Sequence, residues 1–267
     1  MNRTSRRTGD DGVSESIGFL LIFTMVMVGI GLVTLYGYPM LLQQQTSADE
    51  QIMEKNMIVL QNDMKSLAYK TVPYKETSMK IGGGSLTASD FMTTGPRFSI
   101  YDSTNTPFLP ATQTGELLYY STSAGGEISL QNGAVVMRNL AKPGSTMLAQ
   151  PRWFYDSKTK TMVVNLIRIK SGETMSKTGI GTVQMELGEP YFASYTGAQI
   201  HNPVYVEYTP GSVQEDYSTA WDNYFNLGPL GPVTPTVSGS PPFTRKYQIP
   251  TVSTLVIKRT DVIIKSI

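Results

Sequence analysis

The chain has 267 residues, 40% of them hydrophobic but only 16% charged, against about 25% charged in an ordinary soluble domain. Its 22 Lys and Arg nearly cancel its 21 Asp and Glu, leaving a formal charge of +1, which excludes a strongly basic nucleic-acid binder and an acidic disordered tail. With no cysteine and a single histidine, His201, it has no disulfide framework, Cys-ligated zinc, iron–sulfur cluster, thiol catalyst or multi-His metal site.

The first twelve residues, MNRTSRRTGDDG, carry Arg3, Arg6 and Arg7. An uncharged run of 32 residues follows from Ile17 to Ala48, and its apolar part, Ile17 to Leu42, is 26 residues long. As an α-helix that part would measure about 39 Å, more than the ~30 Å hydrocarbon core of a bilayer. A buried core helix rarely stays apolar on every face for that distance, so the run predicts a membrane span. Tyr36 and Tyr38 fit an interfacial aromatic pair at its outer end. Gly18, Gly29, Gly31 and Gly37 read as ordinary transmembrane composition, since no pair has the GxxxG spacing. Pro39 removes a backbone donor and predicts a kink or loosened turn around residues 35–39.

The flanks give the orientation. Basic residues precede the span, whereas Asp49, Glu50, Glu54 and Lys55 mix after it. The positive-inside rule then puts the N-terminus in the cytoplasm and residues from about 43 onward outside. A cleaved secretory signal is the weaker alternative. Its apolar region normally runs about 7–15 residues, and Thr46 and Ala48 offer only a poor cleavage site.

The residues against the span, Asp10-Asp11-Gly12-Val13-Ser14-Glu15-Ser16-Ile17-Gly18, resemble the class III signal of archaeal type IV pilin-like proteins. In that group a membrane-embedded aspartyl peptidase cuts a short basic leader after a small residue, and the hydrophobic helix stays on the mature protein. The resemblance implies cleavage between Gly12 and Val13. Glu15 is the third residue after that cut, whereas the familiar bacterial pilin glutamate is the fifth, a position occupied here by Ile17. Its subunit-pairing role is therefore not carried over, and Glu15 reads equally as a carboxylate near a helix N-terminus. A charged helix, a Gly-rich turn at Gly82-Gly83-Gly84, a long β-rich region and the element DYSTAWDNYF (Asp216 to Phe225) also resemble an uncharacterised archaeal pilin-like group.

Gln43 to Tyr69 lacks Gly and Pro, and Met53, Met57, Leu60, Met64 and Leu67 are spaced 4, 3, 4 and 3 apart. That spacing predicts an amphipathic stalk helix, ended by Pro73. A single element from Ser14 to Lys70 would be roughly 85 Å long. The stripe has two readings: packing against the chain's own β-domain, which is favoured, and a functional one in which it also meets other subunits, for which methionines are tolerant.

Beyond Thr71 the pattern changes to short strands with turn signals. Strands are predicted at Arg97–Tyr101, Glu116–Ser121, Glu127–Leu130, Ala134–Asn139, Arg152–Tyr155, Thr161–Ile169, Thr182–Glu186, Tyr191–Tyr195 and Val204–Tyr208, with two more at Val252–Lys258 and Asp261–Ser266. The apolar run Met162 to Ile169 should be central, and Arg152 to Thr161 reads as a hairpin. Ser212-Val213-Gln214-Glu215 fits a capping box opening a helix whose stripe is Val213, Tyr217, Ala220, Trp221, Tyr224 and Phe225, most simply an aromatic lid. Residues 228–242 are a Pro/Gly/Ser/Thr loop.

The expected fold is α+β, mainly β: a long N-terminal transmembrane and stalk helix, then an extracellular β-sandwich-like domain with one inserted helix. The expected divisions are a leader at 1–12, a membrane helix at 13–42, a stalk at 43–72 and a β-rich domain at 73–267.

Reactive chemistry is scarce. His201 has no second histidine, no G-x-S-x-G or calcium loop occurs, and Gly82-Gly83-Gly84-Ser85 lacks the ending of a phosphate loop and reads as a flexible turn. Glu186, Glu189, Glu207, Glu215 and Asp216 could approach one another, but sequence separation does not pair them. No catalytic residue, cofactor or metal is expected. The function expected is a non-enzymatic, membrane-anchored cell-surface protein of the pilin-like class, with adhesion, a minor-pilin role or envelope assembly open to it. Its partners would be the lipid bilayer, the prepilin peptidase, and other pilin-like subunits or envelope proteins, with no nucleic acid. The alternatives are a signal-anchored binding protein that never polymerises, and a surface hydrolase with an acidic pair.

Overall fold

The computed structural model describes residues 11–70, 72–92, 95–122, 125–228 and 230–267, with side chains from Ser16 onward. Two compact units divide at Ala48/Asp49. The first is helical. Helix α1 spans Asp11–Leu32, a π turn spans Val33–Gly37, and α2 spans Tyr38–Lys70. The loosened turn expected near Pro39 is this π turn, closed by the Tyr38 N–H on the Val33 carbonyl. Pro39 cannot donate, and its ring would strike the carbonyl four residues back in a regular helix; one extra residue in the turn relieves both.

In the second unit the helical residues from Asp49 group with the strands. The strands are β1 Tyr74–Ser89, β2 Arg97–Tyr101, β3 Pro107–Gln113, β4 Glu116–Ser121, β5 Gly126–Gln131, β6 Ala134–Asn139 and β7 Ser145–Ala149. They continue with β8 Phe154–Asp156, β9 Thr161–Lys170, β10 Met175–Thr196, β11 Val204–Thr209, β12 Thr236–Ser238, β13 Thr244–Ile249 and β14 Thr254–Ser266. Helix α3, Ser218–Leu227, lies between β11 and β12.

Nine strands form one sheet in the order β7-β6-β5-β4-β1-β10-β14-β9-β8, and five form another in the order β12-β13-β11-β2-β3. The paired strands run antiparallel except β14 and β9, which are parallel. Asn132-Gly133, with φ of 48° and 67°, joins β5 to β6 through a two-residue loop whose left-handed geometry matches the strand twist.

Side-chain alternation lets the large sheet serve two cores. On β9, Met162, Val164 and Leu166 face the small sheet, while Ile167 and Ile169 face the stripe of α2. On β14, Leu255 and Ile257 take the first side and Val262 and Ile264 the second. The central strand expected over 161–169 is therefore buried on both faces, as its near-continuous apolar run requires. Helix α3 closes the other core: Trp221 packs 4.9 Å from Phe98 and 5.6 Å from Phe225, centroid to centroid. The mainly β, sandwich-like architecture with one inserted helix is thus the fold of this chain.

Several local expectations are corrected. Gly82-Gly83-Gly84 is not a free turn; it lies within β1 at a register shift between Ile81 and Leu86. The glycines are required by close approach, because a Cβ at Gly82 would overlap the Asp49 carboxylate and one at Gly84 the Tyr120 carbonyl, while Gly83 sits at φ +63°. The strands expected at 182–186 and 191–195 are one, β10, carried past Gly188 by a bulge against β14. Those expected at 252–258 and 261–266 are also one. There Asp261 lies opposite Arg168 in the ladder, and the two side chains form a bidentate ion pair at 2.7 and 2.6 Å.

The lid helix begins at Ser218 rather than Val213, which is exposed. Ser212 does accept the Glu215 N–H at 3.1 Å, but this closes a turn, and Asp216 accepts the Ser218 N–H at 2.8 Å. Strands β1, β3, β7, β12 and β13 had no counterpart among the expected ones.

Candidate functional site

The feature that separates this chain from a closed globular domain is the apolar helix before Ala48. Its large side chains stand open, with Ile17 59% and Leu42 44% exposed. The helical run Ser16–Lys70 contains an 18-residue window of mean hydropathy 2.5, none of it buried. Among the described residues this is the one helix long and apolar enough to cross a membrane. Its few polar side chains are masked locally: Thr24, Thr34 and Thr46 donate to the carbonyls of Leu20, Ile30 and Leu42 at 2.7, 2.8 and 3.0 Å. That back-bonding removes the cost of a hydroxyl in an apolar medium. Phe19 and Phe23 stack along one face at 6.2 Å.

The expected processing pair, Gly12 and Val13, falls in the first turn of α1; their side chains and the whole of 1–10 lie outside the described residues.

The stripe Met53, Met57, Leu60, Met64 and Leu67 is fully buried. It packs into a core with Ile128 and Leu130 of β5, Val183 and Met185 of β10, and Ile264 of β14. Burying each such side chain is worth roughly 1.5–3 kcal/mol. Packing on the chain's own sheet, the favoured reading, is the arrangement found.

One residue of this face escaped the sequence reading. Gln61 is buried, and its Nε2 donates to the Gly133 carbonyl at 2.7 Å and the Gln150 carbonyl at 3.0 Å, tying α2 to the β5–β6 loop and the end of β7. Its place on the apolar face, between Leu60 and Met64, was the available signal. Gln61→Ala should cost about 1–3 kcal/mol, because the Gly133 carbonyl is then buried without a donor; urea titration followed by tryptophan fluorescence measures it.

Two polar clusters deserve comparison with the chemistry sought in the sequence. His201 pairs with Asp102, Nδ1 to Oδ2 at 2.8 Å, and Asp102 is fully buried. Burial alone would raise its carboxyl, but the Thr104 hydroxyl, the Thr106 N–H, His201 and the Thr104 N–H outweigh it and hold the group below the usual carboxylate range. These bonds brace the loop from β2 to β3 against the approach to β11.

The second cluster lies between the sheets. Glu116 is buried and accepts the Ser129 hydroxyl at 2.6 Å. Burial raises its carboxyl to about 7, opposed by Ser129 and reinforced by the charges of Glu215 and Glu127. Glu127 is itself raised by burial, against the pull of Arg138, whose Nε lies 2.9 Å from Oε2.

Of the carboxylates considered from sequence, only Glu215 joins this group. Glu186 pairs with Lys265 at 2.7 Å, and Glu207 accepts the hydroxyls of Tyr101 and Ser99 at 2.5 and 3.1 Å. Among the described residues no set of three or more His, Asp or Glu is arranged to hold a metal ion.

Over residues 12–235 the chain matches a family described as a family of unknown function (DUF7289). No curated protein and no solved structure matches it.

Proposed function

The chain belongs to this family of unknown function, and we propose that it is a membrane-anchored cell-surface protein of the archaeal type IV pilin-like class. The observation that carries the proposal is the open, uncharged helix from Ile17 to Leu42, followed in the chain by a sheet-rich domain that has no second such helix among the described residues. The helix is the anchor, single-pass, with Arg3, Arg6 and Arg7 on the cytoplasmic side and the β-domain outside. The Asp-Asp-Gly-Val sequence before it supplies the site for a prepilin peptidase between Gly12 and Val13. The domain works by contact rather than catalysis, as a minor pilin, an adhesin or a component of envelope assembly.

Mass spectrometry of the mature N-terminus tests this. The expected start is Val13; an intact Met1, or a start near Asp49, would overturn the prepilin reading.

A second reading is favoured by one specific observation. Because Met53, Met57, Leu60, Met64 and Leu67 are buried in the chain's own core, they are not free to meet other subunits. This suits a signal-anchored surface protein whose β-domain binds a partner without polymerising. Filaments seen by electron microscopy favour the first reading, and a detergent-extracted monomer without filaments favours the second.

A further inference from the structure

A groove of about 540 Å³ runs between the last turns of α2 and the segment joining β7 to β8. From the helix come Asn62, Lys65, Ser66, Tyr69 and Lys70, whose spacing puts them on one face. Pro151 and Arg152 form the opposite wall.

Three cations therefore converge on one recess, and among the described residues no carboxylate pairs with any of them. Asp63, the nearest acid in sequence, is engaged elsewhere, 3.4 Å from Lys75 and accepting the Thr77 hydroxyl at 2.6 Å. Lys70 lies in the last turn of the helix, where a cation answers the free carbonyls. Lys65 donates to the Gln150 carbonyl at 2.8 Å, and burial together with the charge of Arg152 lowers its affinity for a proton. The guanidinium of Arg152 lies 4.9 Å from the centre of the Tyr69 ring, which holds it over the groove. Like charges gathered on one recess attract an anion, most strongly at low ionic strength.

We propose that this groove binds an acidic saccharide unit. Lys65, Lys70 and Arg152 would hold its carboxylate or phosphate, and the amide of Asn62 and hydroxyl of Ser66 would bond to its ring hydroxyls. The volume lies in the range of small-molecule sites. A planar guanidinium beside ammonium groups suits either oxyanion.

The test is isothermal titration calorimetry on the full chain in non-ionic detergent, with glucuronate, glucose 6-phosphate, inorganic phosphate and glucose as probes. The expected result is saturable binding of at least one sugar anion, weakened at least tenfold in both Arg152→Gln and Lys70→Gln, with none for glucose. Both side chains are exposed, and an unchanged melting temperature shows that the variants are folded. Equal affinity for inorganic phosphate overturns the saccharide assignment. No binding by either sugar anion, or binding indifferent to both substitutions, overturns the site itself.

Discussion

Truncating Leu60 or Met57 to alanine lowers the stability of the sheet-rich unit by about 2–5 kcal/mol each, the cost of lost burial plus an unfilled cavity. Both side chains are wholly buried among strands of the nine-stranded sheet. Ile52 and Val59 are the internal controls: they stand on the same helix but are 43% and 47% exposed, so their alanine variants stay within about 0.5 kcal/mol of the parent. Trp153 and Trp221 are both buried in the other core of this unit and report its unfolding in urea. Equal, small losses at all four positions would mean that the stripe does not pack on the sheet. Loss of assembly in the Ile52 and Val59 variants, with stability unchanged, would instead mark the open face of the helix as a contact with neighbours.

Acidification stabilises this unit through Glu116. Its carboxyl ordinarily titrates near 4.5 but is raised by burial to about 7 in the folded chain. The folded state therefore keeps a proton that the unfolded state releases. The contribution is fully present below about pH 4.5, declines as the pH rises through the interval, and is gone above about pH 7. A rise from near 4.5 to about 7 corresponds to a change on the order of 3 kcal/mol. Asp102 acts in the opposite sense and at lower pH: its depressed carboxyl contributes stability above the ordinary carboxylate range, lost on strong acidification. Urea titrations at pH 5 and pH 8 should find the parent chain more stable at pH 5, and Glu116→Gln should remove most of that difference. An unchanged difference in the variant would assign the pH dependence to other groups.

How far the sequence reading reached follows from what each segment signals locally. The long apolar helix, the buried stripe and strands such as β9 declare themselves by apolar period and length, because each leaves a regular pattern on a single element. Strand β1 did not, since three glycines look like a turn until Asp49 and Tyr120 are seen pressing against them. Strand β3 was hidden by Pro107 and Pro110, which an edge strand tolerates and a central one does not. Long strands β10 and β14 were divided at polar or Gly/Pro interruptions that partners across the ladder accommodate, Arg168 with Asp261 above all.

The clusters were the least legible. Glu116, Glu127 and Glu215 meet through register and sheet stacking, and so do Asp102 and His201, 99 positions apart. Gln61 passed unnoticed beside the apolar stripe, because the two carbonyls it fastens the helix to lie 72 and 89 positions away.

The wide turn at Val33–Gly37 sets the azimuth of everything around it on the apolar helix. One residue added without a matching advance rotates the following side chains by about 100° relative to an unbroken helix. Gly31 and Tyr38, seven positions apart, would otherwise share a face. A rod-shaped neighbour lying along this helix thus meets one seam up to Leu32 and a differently directed seam from Tyr38. The helix presents two differently directed apolar faces rather than one continuous stripe.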